Sequence, residues 1–363
     1  MANIFHITSV HTRYDIRIFK KECISLAQAG HTVTLIVCDG LGDETCEGVR
    51  IIDAGNYNKL PRLKRAKYGP KAILKKLMEF ENIDVVHFHD PELLSCGIKL
   101  KRLGKKVIFD SHEDVPAQIL DKHWIPAPLR KVVSAVYKQY ETKAVGQFDA
   151  VVAATPHIAE QFDGRAKKIV VINNYPRLDD IIFQTKPFDE RERIVCYAGG
   201  INELRGEKVM VAAMEKVDGT LILAGDHDKI TIQNTSGGGC EYIGLMDRAE
   251  INELYARSVV GLVVLQPAHN YVDSLPIKMF EYMAAGLPFV ASDFPLWKSI
   301  VAESQSGICV NPSDTVALAN AINFFLENKD VGQRMGQSGR KYVEDKCSWT
   351  KVEGVLLTMY ETL

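Results

Sequence analysis

Apolar residues fall along this chain in two alternating patterns. Short runs at 3–9, 32–38, 84–89, 106–110, 149–155 and 168–173 are apolar nearly throughout, as strands buried on both faces of a parallel sheet must be. Between them, segments such as 16–30, 91–104 and 127–145 repeat their apolar positions with helical spacing. The pattern pauses at 175–192, a stretch with Pro and Asp and few apolar residues in a row, then resumes with runs at 193–199, 219–225, 259–265, 288–292 and 306–311. Two such successions predict an α/β chain of two Rossmann-like, doubly wound domains facing a central cleft. The expected division is 1–180, a linker at 181–192, a second domain at 193–345, and a terminal helix at 346–363 able to pack back on the first domain. Open α/β sheets bind ligands beyond the carboxyl ends of their strands, so the loops there are where chemistry is to be sought.

One of those places is Asp273-Ser-Leu-Pro-Ile-Lys-Met-Phe-Glu-Tyr-Met-Ala-Ala-Gly-Leu-Pro288. Ser274 is suited to cap a helix, Pro276 to its first turn, and Gly286 with Pro288 to its end, which predicts a helix of about ten residues. Ile277, Met279, Phe280, Tyr282 and Met283 occupy most of its circumference, so the helix is expected to be buried. A buried helix start leaves N–H groups that need a cap or an anion. Asp273 and Glu281 stand eight positions apart across that start.

Composition narrows the class. The length suits two domains, and 46 % hydrophobic with 25 % charged residues is ordinary for a globular chain. The net charge of -2 conceals an asymmetry: residues 1–180 hold 27 Lys/Arg against 22 Asp/Glu, and residues 181–363 hold 17 against 24. The basic excess concentrates at 59–76, where Lys59, Arg62, Lys64, Arg65, Lys67, Lys71, Lys75 and Lys76 occur with no acidic residue. Interleaved with Leu60, Leu63, Tyr68, Ile73 and Leu74, this run reads either as a contact with an anionic membrane surface or as a solvated loop leading into a surface helix. No nucleic-acid partner is expected. Eight cysteines show no Cys-x-x-Cys pair and no zinc-finger spacing, which implies reduced thiols in a cytoplasmic protein. No apolar run approaches a membrane span, and the N-terminus lacks the pattern of a secretion signal.

After the run at 193–198 comes Gly199-Gly-Ile-Asn-Glu-Leu-Arg205-Gly206, ahead of a helix. Glycines let a backbone approach a ligand, and Arg205 at the helix entrance suits phosphate oxygens. An exposed Arg in a turn is the plainer reading of this stretch alone. Lys278, in the helix described above, offers a second cation.

Taken as a set, Asp273 and Glu281 with the Glu-Tyr-Met-Ala-Ala-Gly-Leu-Pro run, residues 197–206, 221–225 and Tyr242-Ile-Gly244, and Gly30-His31 resemble the retaining GT-B glycosyltransferases of family four, nucleotide-sugar enzymes of the bacterial surface-polysaccharide type. The resemblance implies a donor site at Gly199, Gly200, Arg205, Lys208, Asp273, Ser274, Leu275, Pro276, Ile277, Lys278 and Glu281. In it the first carboxylate holds the sugar, loop amides and cations hold the diphosphate, and the second carboxylate holds the ribose. It also implies that His112, in Phe109-Asp-Ser-His-Glu-Asp114, lies beside the donor sugar, with His112, Asp273 and Arg205 as the catalytic set. A plainer role for His112 is capping the next helix or pairing with Glu113. His87 and His89 read as satisfied core or rim histidines.

Three departures from the family pattern stand out. Asp273 replaces the usual Glu. Gly200 stands where an Arg is common, so Lys278 or Lys208 must complete the diphosphate site. The first loop offers His11-Thr-Arg13-Tyr-Asp15-Ile-Arg17 in place of a glycine pair, making Arg13, Arg17 and Asp15 candidates for phosphate or acceptor contacts. Asp226-His-Asp228 is a weak metal signal, and neither metal nor cofactor is expected; the nucleotide sugar, most readily a UDP-sugar, is a substrate. The implied reaction moves a sugar with retention to a saccharide or lipid-linked saccharide acceptor in cell-surface polysaccharide synthesis, at the inner face of the cytoplasmic membrane. A GT-B sugar-nucleotide 2-epimerase and a non-catalytic nucleotide-sugar-binding partner subunit are the alternatives.

Overall fold

The computed structural model describes residues 1–122, 124–184, 186–227 and 239–363; Asp228 of the acidic triplet lies outside them. The chain divides into two compact units, Met1–Asn174 with Thr350–Leu363, and Tyr175–Trp349.

The first unit is built on β1 (Asn3–Ile7), β2 (Thr32–Val37), β3 (Glu44–Cys46), β4 (Val49–Asp53), β5 (Val85–Phe88), β6 (Lys106–Ser111), β7 (Ala150–Ala153) and β8 (Ile169–Val171). Their order is β3-β4-β2-β1-β5-β6-β7-β8, and every neighbouring pair is parallel except β3 with β4. All six apolar runs of this half form strands. The hairpin β3–β4 was not anticipated, because its strands are short and partly exposed. Its turn is Glu47-Gly48, both at positive φ (50° and 76°), the two-residue geometry that matches strand twist.

The second unit contains β9 (Ile194–Ala198), β10 (Thr220–Ala224), β11 (Cys240–Gly244), β12 (Ser258–Val263), β13 (Phe289–Ser292) and β14 (Gly307–Val310), all parallel, in the order β11-β10-β9-β12-β13-β14. In each sheet the chain winds outward in both directions from one strand, β1 or β9. A crevice therefore opens at the strand ends between β1 and β5, and between β9 and β12.

Residues 181–192, expected as a linker, belong to the second unit. Ile181 and Phe188 are buried in its core, and the Arg191 guanidinium lies 3.8 Å over the Phe188 ring while donating to the Ser258 carbonyl at 3.1 Å. The final helix, Trp349–Glu361, puts Leu356, Met359 and Tyr360 into buried positions, with Tyr360 in the first unit against His87. Within the described residues no helix is long and apolar enough to cross a membrane.

Helix Ile277–Ala285 forms as the spacing predicts, and Gly286 ends it in a left-handed conformation. Met279, Phe280, Tyr282, Met283, Ala284 and Ala285 are all buried. One neighbour is helix Lys329–Lys346, which comes so close at Gly336 that a Cβ there would sit 2.1 Å from the Gly286 carbonyl oxygen. Close packing of the two backbones fixes where the N-terminus of Ile277–Ala285 points. Gly336→Ala should therefore lower unfolding free energy by about 1–3 kcal/mol in urea titration; an unchanged midpoint would contradict this packing.

Candidate functional site

In the second unit, β9 runs into Gly199-Gly200. A Cβ on Gly199 would lie 3.0 Å from Lys278 Nζ, and one on Gly200 would lie 2.9 Å from Arg205 Nη1. Two cations thus rest against a bare backbone, and Gly199, at φ 136°, also adopts a conformation that other residues rarely take. Arg205 closes the short turn Glu203–Arg205, capped by the Asn202 side chain, which accepts from the Arg205 amide at 3.0 Å. Burial opposes its charge, but hydrogen bonding to Tyr271, with Tyr197 behind it, raises its pKa. Tyr197, pushed by burial to about 12, donates to the Gly200 carbonyl at 2.8 Å.

Lys278 lies in the first turn of Ile277–Ala285. Its Nζ sits 3.6 Å from the Tyr197 ring centroid, is buried, and has no hydrogen-bond partner among the described residues. Burial first, and the neighbouring Arg205 charge second, hold its pKa well below the ordinary 10.5, with Glu281 opposing. A buried ammonium beside a guanidinium is expensive unless an anion joins them. This pair fits a diphosphate.

The start of Ile277–Ala285 differs in detail from expectation. Pro276 occupies the N-cap position, with no side-chain cap. Ser274 does not cap: its Oγ donates back to the Tyr271 carbonyl at 2.8 Å, and its own carbonyl accepts from Trp297 Nε1 at 2.7 Å. These bonds pin the loop Ser274-Leu275-Pro276 and leave the helix end open to a ligand. Asp273, exposed, ends the turn His269–Val272. Glu281, one turn beyond Lys278, accepts from Arg248 Nη2 at 2.8 Å and Tyr255 OH at 3.2 Å. Lys208 does not join the buried pair; its exposed ammonium pairs with Glu203 at 2.8 Å, so Lys278 is the cation against Gly199.

The first unit has its own recess at the ends of β1, β5 and β6, of about 240 Å³ and lined by residues including His11, His89, Asp90, Asp110, His112 and Glu113. His112 neither caps the next helix nor pairs with Glu113. Asp114 is the cap of Val115–Asp121, accepting from the Ala117 amide at 2.9 Å, while Glu113 accepts from Gln118. His112 Nε2 instead meets Asp110 Oδ2 at 2.9 Å. Burial opposes a charge on Asp110, but Arg17, and after it His112, hold its pKa well below the ordinary carboxylate range.

The first-loop candidates are turned inward. Arg17 donates from Nε and Nη2 to Asp110 at 2.8 and 2.9 Å and from Nη1 to the Ile172 carbonyl at 2.7 Å. Arg13 donates to both oxygens of Asp39 and to Glu44 and Gly42. Neither guanidinium has room for a phosphate. Asp15 accepts from the Arg17 and Ile18 amides and pairs with His11 at 3.0 Å, so it shapes the loop. His87 and His89 are buried and hydrogen-bonded, as expected of core histidines.

Sequence reasoning missed Asp110, Arg248, Tyr255, Tyr271 and Tyr360. Asp110 had a signal: it stands two positions before His112, on the same side of a strand end. Tyr271 lies two positions before Asp273 but carried no motif of its own, and Arg248, Tyr255 and Tyr360 come from other segments.

Residues 17–175 match the family described as Glycosyltransferase Family 4, and residues 179–342 match Glycosyl transferases group 1. A phosphatidyl-myo-inositol mannosyltransferase of Mycobacterium leprae is 22 % identical over 329 residues, covering 86 % of this chain and 84 % of the relative. Among solved structures, sucrose-phosphate synthase from Thermosynechococcus elongatus superposes with a TM-score of 0.80 at 19 % identity, covering 100 % of this chain and 99 % of the other. HepE from Anabaena in complex with UDP superposes with a TM-score of 0.71 at 12 % identity, covering 100 % of both chains. With two Rossmann-like units and these matches, the chain is a nucleotide-sugar-dependent glycosyltransferase of GT-B fold, formed by a Glycosyltransferase Family 4 domain followed by a Glycosyl transferases group 1 domain.

Proposed function

We propose that the enzyme takes a UDP-sugar, transfers the sugar with retention and without a metal, and delivers it to a lipid-linked saccharide at the inner face of the cytoplasmic membrane, in surface-polysaccharide synthesis. The observation that carries the donor assignment is the buried Lys278–Arg205 pair against Gly199-Gly200. These cations and the open start of Ile277–Ala285 stabilise the diphosphate as it departs, the charge a divalent ion would otherwise neutralise. The anomeric C–O bond to phosphate breaks, its electrons leave with the diphosphate, and the acceptor oxygen bonds to the anomeric carbon on the same face. A phosphate oxygen takes the acceptor proton, so no protein nucleophile is required. Asp273 orients the sugar and His112 contacts it. Glu281, already fixed by Arg248 and Tyr255, keeps lone pairs for the ribose hydroxyls.

The lipid-linked acceptor is supported by the name of the mycobacterial relative and by one face of the first unit. Helix Arg62–Leu77 exposes Lys64, Lys67, Lys71 and Lys75 with Leu63 and Tyr68. Arg62 lies 5.6 Å from the ring of exposed Trp124, and helix Ala127–Val145 exposes Leu129, Val132, Val133, Val136 and Tyr140 along one stripe. Basic and apolar side chains together suit an anionic bilayer.

In a thermal-shift panel of UDP-, GDP- and ADP-sugars, UDP-sugars should raise Tm and Glu281→Ala should weaken the shift; no shift with any nucleotide sugar would refute the donor site. Lys278→Met should raise Tm of the unliganded protein, by a stabilisation on the order of 1 kcal/mol from removing an uncompensated buried charge, while abolishing the UDP shift. A lower Tm would mean that the ammonium is already satisfied. Turnover should survive EDTA, and loss restored by a divalent ion would overturn the metal-free mechanism. The chain should sediment with anionic but not zwitterionic vesicles. Replacing Lys64, Lys67, Lys71 and Lys75 by Ser removes about 1 kcal/mol per residue, and unchanged sedimentation would rule this face out.

A further inference from the structure

We propose that Asp110 is the positioning residue of His112, and that it also sets the tautomers of a buried hydrogen-bond chain running through His89 and His6 to Tyr360 on the last helix. The catalytic half of this inference rests on the role assigned to His112 above. The chain itself rests on hydrogen-bond distances together with the burial that keeps its rings neutral.

The protons can be placed one at a time. An ionised carboxylate only accepts, so His89 Nδ1, 3.1 Å from Asp110 Oδ2, and His112 Nε2, 2.9 Å from the same oxygen, both carry hydrogen. Arg17 donates to both oxygens of Asp110 and compensates its charge. Burial keeps His6, His87 and His89 neutral, so each has one N–H and one lone pair. His89 therefore presents Nε2 as an acceptor, and the nitrogen facing it at 2.9 Å, His6 Nδ1, must donate. His6 Nε2 is then an acceptor and receives a hydrogen bond from the Tyr360 hydroxyl at 3.2 Å. The Tyr360 oxygen in turn accepts from His87 Nδ1 at 2.7 Å.

The chain ends at His87 Nε2, which is buried and has no partner among the described residues. The assignment makes that atom a lone pair, and unpaired acceptors are tolerated better than orphaned N–H groups. Along this chain of rings every N–H and O–H donor is used. Reversing the chain would leave Asp110 facing a lone pair at one end and bury an unpaired N–H at the other.

Arg17, already donating to both oxygens of Asp110, also reaches Glu22 Oε1 at 3.2 Å. Glu22 approaches His6 Nδ1 at 3.9 Å and His87 Nδ1 at 4.0 Å, but burial and then Asp110 push its pKa well above the ordinary carboxyl range. Burial likewise keeps the Cys23 thiol protonated. His6, Glu22, His87 and His89 also bring potential ligand atoms within 4.8 Å of one another. The His6 and His89 rings, however, have centroids 5.2 Å apart, lie within 19° of parallel and have facing nitrogens 2.9 Å apart. They meet nearly head to head, as in an N–H···N hydrogen bond, whereas two lone pairs bound to one ion would converge at an angle.

The consequence for His112 is a fixed face. With Nε2–H committed to Asp110, Nδ1 is left to accept from a substrate hydroxyl, much as a buried aspartate selects the working tautomer of a catalytic histidine elsewhere.

The test is ring-nitrogen NMR of the full chain with 15N-labelled histidine. His89, His6 and His87 should each appear as a single Nδ1–H tautomer and His112 as Nε2–H, with the three buried rings still neutral at a pH where free imidazole is protonated. Tyr360→Phe cuts the chain beyond His6, and should leave His89 and His6 unchanged while altering His87. Asp110→Ala removes the starting charge: His89 and His6 should become tautomer mixtures, and kcat should fall on the order of a hundredfold with donor KM within about twofold. His89 or His6 found as Nε2–H or doubly protonated in the wild type would overturn the chain, whether or not Asp110→Ala folds. Intact spectra with full turnover in Asp110→Ala would overturn the positioning role and the catalytic assignment of His112, leaving the donor site untouched.

Discussion

A buried lysine amine with no hydrogen-bond partner among the described residues is the constraint around which the second unit is arranged. Lys278 is carried inward by a helix whose other side chains are almost all in the core, and that helix is locked by the close backbone contact at Gly286 and Gly336. Its Nζ rests where a Gly199 Cβ would come within 3.0 Å, and Arg205 Nη1 where a Gly200 Cβ would come within 2.9 Å. The aromatic face of Tyr197 offsets part of the desolvation. What remains is a cationic cluster of Lys278 and Arg205 beside Gly199-Gly200, the basis of the diphosphate site proposed above. Stability is held in reserve here for a ligand.

The first unit treats charge the opposite way. Arg13 and Arg17 are both fully engaged by carboxylates and carbonyls, and the Arg17–Asp110 pair anchors the loop after β1 to the end of β6. Removing one partner of such a pair leaves an uncompensated buried charge, so these residues are structural in consequence even though they lie next to the recess. His112 lines the recess with its Nε2 held on Asp110, which is the basis of the positioning role proposed above.

Much of this was legible from the order of residues. Apolar runs marked six strands of the first sheet and five of the second, missing β11, and Pro276 and Gly286 bracketed helix Ile277–Ala285. The hairpin at Glu47-Gly48 escaped because a two-residue turn between three- and five-residue strands leaves too little periodicity. Ser274 was misread as a cap because capping depends on the direction of its hydroxyl, which here follows Tyr271. Arg13 and Arg17 were read as ligand contacts because a basic loop at a strand end looks the same in sequence whether its charges face solvent or buried carboxylates. Their partners Asp39 and Asp110 are 26 and 93 positions away. Lys278 and Lys208 were equal candidates until the fold placed one against Gly199 and the other on Glu203.

The most direct test of the central claim is the number of protons taken up when UDP binds, measured by titration calorimetry at about pH 8.5 in buffers of different ionisation enthalpy. At that pH the nucleotide is fully ionised, so uptake reports the protein. A Lys278 held below its ordinary pKa by burial and restored by a diphosphate should bind a net fraction of a proton, and that uptake should vanish in Lys278→Met. UDP binding with no proton uptake, or with the same uptake in the variant, would show that the ammonium is not what the diphosphate meets.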